Sequence, residues 1–258
     1  MEIKFVHNVS KGSRFNQIYV PKEMKGEFEV GDLVEVRLLK KKAEIFFYNT
    51  QEINNFKKSL IKKIFSSLPG KIEQAFISGS FLSQLEYNDI DLIIISEFDL
   101  EKEIYCFLKK EFGLKFHLLI IPKERFSNLI KICPLTRSML YHNVSNKKFN
   151  LPERQIDFNH IKFLLMMPED LLEIKTGSRV FYDSLRRLIA IEYFLRDKDE
   201  DVIKINADAE ALIGKDILVS IKNNEEINDR ILSNLREIIK FKLKGIRLKL
   251  KNEQKRHN

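Results

Sequence analysis

Phe76-Ile77-Ser78-Gly79-Ser80, eight further residues, then Asp89-Ile90-Asp91-Leu92-Ile93-Ile94-Ile95 is the stretch on which the reading of this chain turns. Two apolar runs of strand length stand on either side of the Gly-Ser step and its spacer. The first run leads into Gly79-Ser80, where the missing Cβ lets a phosphate come close. Backbone N–H groups and the Ser80 hydroxyl can hold an anion there, more so if a helix begins at Phe81. Asp89 and Asp91 are two residues apart, so on an extended segment both carboxylates point to one face. Two hard oxygen donors suit Mg2+, which keeps waters and takes up substrate phosphates. Metal ions held this way stabilise both the attacking and leaving oxygens of an in-line phosphoryl transfer.

Strands and a helix extend outward from this core. Residues 72–78, 91–96 and 114–121 read as strands and 101–112 as a helix, an alternation that suits a sheet covered by helices. Residues 50–67 read as a helix with Thr50 at its N-cap, carrying Ile53, Phe56, Leu60 and Ile64 at helical spacing and ended by Leu68-Pro69-Gly70. From about residue 155 the pattern is helical, over 162–167, 168–174, 179–196, 206–213 and 223–251. Pro168 is expected to open its helix and Ser178 to cap the next. Residues 1–48 read as short strands over 2–9, 15–20, 33–39 and 43–48. Turns fall at Lys11-Gly12-Ser13 and Glu29-Val30-Gly31-Asp32, and Lys40-Lys41-Lys42 interrupts the pattern. Four short strands bury little core alone, so this segment calls for a partner chain or a neighbouring domain. The expected architecture is an α+β multidomain chain, with a small β domain over 1–48, a mixed α/β core over 50–150 and a helical domain over 151–258.

The Gly-Ser, spacer, Asp-apolar-Asp arrangement resembles the DNA polymerase β-like nucleotidyltransferase superfamily, most of all its small bacterial and archaeal members. That resemblance, covering about residues 70–125, implies Mg2+ as cofactor and a nucleoside triphosphate as substrate. Gly79 and Ser80 would contact the triphosphate, and Asp89 and Asp91 would hold the metal. Such enzymes carry a third acid on the following strand, and here His117 occupies that position. Ser83 and Gln84 stand where these proteins usually have Arg-Gly. A His is a poor ligand for Mg2+, but imidazole is the side chain that can take up a proton near neutral pH. Two readings of His117 stay open: a general base, or a structural residue in a site that has lost ordinary catalysis. By the same resemblance the helices after the core would wall the cleft, with Lys175, Ser178 and Arg179 as phosphate contacts or simply a polar helix start. Tyr141 and His142 are expected to be structural.

Residues 9–36 resemble the AbrB/MazE/SpoVT swapped-hairpin family, through Tyr19-Val20-Pro21-Lys22 after the second strand and Gly31-Asp32 before the third. That resemblance implies a small β-barrel interleaved from two chains, hence a homodimer. It also implies double-stranded DNA as a partner, with Lys11, Arg14 and Lys4 at phosphates. The segment is nearly neutral, so a dimerising barrel without DNA binding fits it as well. The two modules together imply either an enzyme or a non-catalytic, antitoxin-like regulator.

Charge is unevenly placed. Residues 230–258 hold ten Lys/Arg against Glu237 and Glu253, which is the whole net charge of +8. The basic balance therefore describes the C-terminal helix, whose Leu232, Leu235, Ile239, Leu243, Ile246 and Leu250 share one face, and not the whole surface. Phe241 is the only aromatic among these bases, which gives no basis for single-strand stacking. Cys106 and Cys133 have no metal-ligand spacing and read as buried thiols in a reducing cytoplasm. No apolar run reaches the ~18 residues of a membrane span, and no secretory leader is legible, so the expected location is the cytoplasm, with no membrane partner.

Overall fold

The two apolar runs around Gly79-Ser80 become neighbouring antiparallel strands, β4 (Gln74–Ser78) and β5 (Ile90–Ile95), with Ser78 opposite Asp91. The helix α3 (Glu101–Phe112) returns the chain so that β6 (Phe116–Ile121) lies parallel to β5. On the other side of β4 runs β7 (Asn143–Ser145), and beyond it β3 (Phe46–Tyr48), both antiparallel to their neighbours. The mixed sheet has the order β3-β7-β4-β5-β6. This structure, a computed structural model, describes residues 5–24, 26–29, 31–36, 43–50, 52–174 and 176–257.

Both faces of the sheet are covered, which is why β5 is apolar almost throughout. Ala75, Ile77, Ile90, Leu92 and Ile94 pack with Ile61, Ile64 and Phe65 of α1 (Asn55–Ser67) and with Ile104 and Leu108 of α3. Phe76, Ile93, Ile95 and Ile121 face α4 (Lys123–Ile132) and α5 (Pro134–Leu140), where Phe126, Ile130 and Leu140 complete a second cluster. The largest core belongs to the helices α6 (Phe158–Asp170), α7 (Ser178–Leu195), α8 (Val202–Ile213), α9 (Lys215–Lys222) and α10 (Asp229–His257). Burying ten of its residues, α7 runs through the middle of that core. Among the described residues no helix is long and apolar enough to cross a membrane.

The chain divides into two compact units, residues 1–41 and 42–258. In the first, β1 (Ser10–Lys11) and β2 (Asn16–Gln17) form a two-stranded ribbon, followed by a 3-10 turn over Lys22–Met24. No closed barrel is present among its described residues, in contrast to the sequence expectation. The physical reason is the scarcity of core: Phe15, Leu33 and Val36 are 78%, 101% and 66% exposed, so nothing pulls longer strands together. The strand expected over 43–48 forms only at Phe46–Tyr48, and it joins the sheet of the second unit through β7. Lys4, Lys175 and residues 2–4, 30 and 37–42 of the expected strands and turns lie outside the described residues.

Local chemistry corrected other expectations. Asn54, not Thr50, caps α1, accepting from the Lys57 N–H at 2.8 Å. The Thr50 hydroxyl instead lies 2.9 Å from the carbonyl oxygens of Tyr48 and Asn143, tying β3 to β7. Pro168 sits inside α6 and opens no helix. A proline leaves the carbonyl four residues earlier without its N–H donor, and here Arg187 Nη1 reaches that Leu164 carbonyl at 3.4 Å. Gly177 holds the N-cap position of α7, and Ser178 is its first helical residue and not the cap. Cys133 is buried as expected, but Cys106 is exposed, on the opposite side of α3 from Ile104 and Leu108.

Candidate functional site

Asp89 immediately precedes β5 and Asp91 is its second residue; Ile90 between them is fully buried, while both acids are partly exposed. Asp89 stands one residue before the strand, and strand alternation turns the Asp91 carboxylate to the side away from the α1–α3 core. Across that side, Ser78, Asp91 and His117 are register neighbours on β4, β5 and β6. His117 Nδ1 lies 3.1 Å from Asp91 Oδ1, and the imidazole is 73% exposed. In the tautomer that makes this bond, Nδ1–H donates to the carboxylate and Nε2 keeps its lone pair.

Gly79 lies against the other oxygen of the same carboxylate. It has φ +79°, and a Cβ built there would fall 2.0 Å from Asp91 Oδ2. The positive φ favours glycine, and a side chain here would push the Asp91 carboxylate out of its place. Directly after it, α2 (Ser80–Ser83) begins at Ser80, with Phe81 and Leu82 buried beneath it. The first N–H groups of any helix have no intrahelical acceptor, so N–H groups at the Gly79-Ser80 step are left without one inside α2.

Lys57 holds this segment in place, and the sequence reading missed it. Its side chain is buried in α1, with Nζ donating to the carbonyls of Phe81 at 2.5 Å and Gln84 at 2.6 Å. The ammonium also sits over the rings of Phe81 and Tyr87, at 5.2 and 5.4 Å from their centroids. Burial pushes its pKa below the ordinary lysine value. A signal was present: Lys57 interrupts the apolar stripe of Ile53, Leu60, Ile61 and Ile64, where a charged residue needs a partner. Here the partners are the last carbonyls of α2 and of the turn after it, the kind of cation helix C-termini favour.

The donor chemistry fits Mg2+ through Asp89 and Asp91, since that ion is commonly held by one or two carboxylates completed by waters and phosphates. The third acid of the expected arrangement does not stand on β6: the residue beside Asp91 is His117, and its nitrogen is bonded to Asp91. Among the described residues no three His, Cys, Asp or Glu side chains gather at metal-ligand spacing.

The remaining candidates lie elsewhere. Lys11 and Arg14 are exposed on the β1–β2 ribbon of the first unit. At the start of α7, Arg179 is occupied by Asp183 at 3.6 Å. His142 bridges the Asn49 carbonyl and Asp201, with Nε2 2.8 Å from Asp201 Oδ1. Its neighbour Tyr141 is pushed up to about 12 by burial and by a hydrogen bond with Asp199. Both side chains are thus bonded to other segments of the second unit.

Comparison of the chain with family models, curated proteins and solved structures finds no match in any of the three.

Proposed function

We propose that this protein is a Mg2+-dependent nucleotidyltransferase that moves a nucleoside monophosphate from a nucleoside triphosphate to an acceptor hydroxyl. The observation that carries this reading is the close approach of Gly79 to Asp91, where a Cβ would displace the carboxylate oxygen Oδ2. A turn that brings bare backbone against a carboxylate just before a helix suits a triphosphate bridged to a metal ion. Asp89 and Asp91 would hold that ion, which when bound supplies charge neutralisation at the phosphates. The Gly79 and Ser80 backbone and the Ser80 hydroxyl orient the triphosphate. His117, fixed by Asp91 through Nδ1, receives the acceptor's proton at Nε2 as the hydroxyl oxygen attacks the α-phosphorus. The α–β phosphoanhydride bond breaks and pyrophosphate leaves.

The first unit supports a homodimer. Its exposed Val6, Phe15, Leu33, Val34 and Val36 are an apolar set that a second copy would cover. In that pairing the two ribbons would complete the AbrB-like barrel, and Lys11 and Arg14 would face double-stranded DNA.

A second reading is favoured by His117 itself. With imidazole in place of the third acid, the chain would be a DNA-binding, antitoxin-like regulator that senses nucleotide without turning it over. Calorimetric titration of each of the four Mg2+·NTPs, followed by assay for pyrophosphate release with protein, RNA and small-molecule hydroxyl acceptors supplied, tests both. Binding that Asp89→Asn and Asp91→Asn abolish, with pyrophosphate release lost in His117→Ala, supports the enzyme. Binding without release supports the regulator, and the absence of metal-dependent binding overturns both.

A further inference from the structure

Helix α10 presents two unlike sides. Leu235, Ile239, Leu243, Ile246 and Leu250 are buried in the helical core, where α10 packs along α7. The opposite side carries Lys240, Lys244, Arg247, Lys251 and Lys255, all exposed, at steps of four, three, four and four residues. Such steps stack side chains on one face, so these cations form a single stripe about 22 Å long at 1.5 Å per residue. Past Lys240 no acid shares it, because Glu253 falls on a different side of the helix. Like charges at these steps repel one another. Glu237 relieves Lys240 at 3.8 Å and Glu169 relieves Arg247 at 2.6 Å, but Lys244 and Lys251 have no ion pair among the described residues. Phe241 and Leu248, 75% and 61% exposed, flank the stripe one heptad apart.

We propose that this stripe is a docking rail for the phosphate backbone of a nucleic-acid duplex. A rigid line of cations on a helix anchored by its other face complements a line of phosphates, and the released counterions drive the association. The entire positive excess of the chain lies in residues 230–258, which places the electrostatic footprint here. An anionic membrane fits less well, because an interfacial helix must insert its apolar face, and that face of α10 is already buried in protein. With one aromatic and no other base-reading group on the stripe, recognition is of backbone rather than of sequence. This inference is independent of the transfer chemistry proposed above.

The test is fluorescence anisotropy of labelled duplex RNA and DNA of about 20 base pairs, titrated with the full chain between about 50 and 200 mM salt. Wild type is expected to bind with a log–log salt slope of about −4. Lys244→Glu/Lys251→Glu is expected to weaken binding at least about tenfold and flatten the slope by about two. Lys244→Gln/Lys251→Gln should flatten it similarly without adding repulsion. Lys102→Glu/Lys110→Glu, exposed on α3, makes the same change in net charge and should leave binding near wild type. Circular dichroism melts confirm that each variant is folded. Equal loss in the α3 variant, loss confined to Lys11→Glu/Arg14→Glu, no duplex binding by wild type, or binding to anionic phospholipid vesicles in its place would each overturn the proposal.

Discussion

Gly79 and Lys57 constrain the candidate site from opposite sides of one turn. Gly79→Ala puts a Cβ where Asp91 Oδ2 stands and forces an L-residue to φ +79°. The expected cost is about 1–3 kcal/mol of stability, with loss of metal-dependent nucleotide binding, read by denaturant unfolding and calorimetry. Retained nucleotide affinity in a folded Gly79→Ala protein would remove the main support for the proposed triphosphate site. Lys57→Met keeps the length of the side chain but leaves the Phe81 and Gln84 carbonyls without their donor. Leaving buried acceptors unmet costs about 1–3 kcal/mol, and the slackened turn should lower nucleotide affinity in the same protein. Lys57→Arg, which keeps donors for both carbonyls, should recover part of that affinity.

Among the helices, α8 depends on a cap that is also a cross-link. Asp201 accepts from the Ile203 N–H at 2.9 Å and from His142 at 2.8 Å. Burial opposes ionisation of this carboxyl, yet the hydrogen bonds from His142 and Ile203 and the attraction of His142 hold its pKa below the ordinary aspartate value. A depressed carboxylate contributes stability that is full above its unfolded pKa and is lost as pH falls through the lower folded one. Asp201→Ala should therefore cost about 1 kcal/mol or more at neutral pH. The gap to wild type should shrink as unfolding is measured below about pH 4. A gap that stays constant down to pH 3 would show that the carboxylate's charge plays no part.

For the whole molecule, the joint between sheet and helices rests on a buried ion pair. Arg137 of α5 donates to Glu200 at 3.1 Å and to the carbonyls of Ile130 and Pro152 at 2.9 and 2.8 Å, with both charged side chains almost wholly buried. Glu200→Ala leaves Arg137 unpaired in the interior and should cost about 3–5 kcal/mol in chemical denaturation. Glu52→Ala, which breaks an exposed pair with Lys58 at 3.3 Å, should cost at most about 1 kcal/mol. Light scattering tests the dimer: the full chain should be dimeric, and Phe15→Glu/Leu33→Glu should yield monomers, because both side chains are exposed in the single chain.

The sequence alone determined whatever repeats at the period of one element. The runs that became β4, β5, β6, α3 and α7 are periodic, so local pattern located each to within about two residues, while α10 was recognised as a helix but placed six residues early at both ends. The Gly79-Ser80 and Asp89/Asp91 pair were legible for the same reason, their spacing carrying their geometry along one strand and one turn. The three-residue strand β7 and the helices α4, α5 and α9 passed unnoticed, being short or bounded by weak signals. Only tertiary structure decided which residues meet across the chain. Asp91 and His117 are 26 positions apart and become neighbours through β-strand register, while Lys57 reaches the Phe81 carbonyl across 24 positions. Tertiary structure also placed Phe46–Tyr48 in the second unit's sheet, because β7 offered that strand a partner and a buried face that the core-poor first unit lacked. Such pairings depend on loop closure and shared burial between distant segments, and those forces leave no period in the sequence.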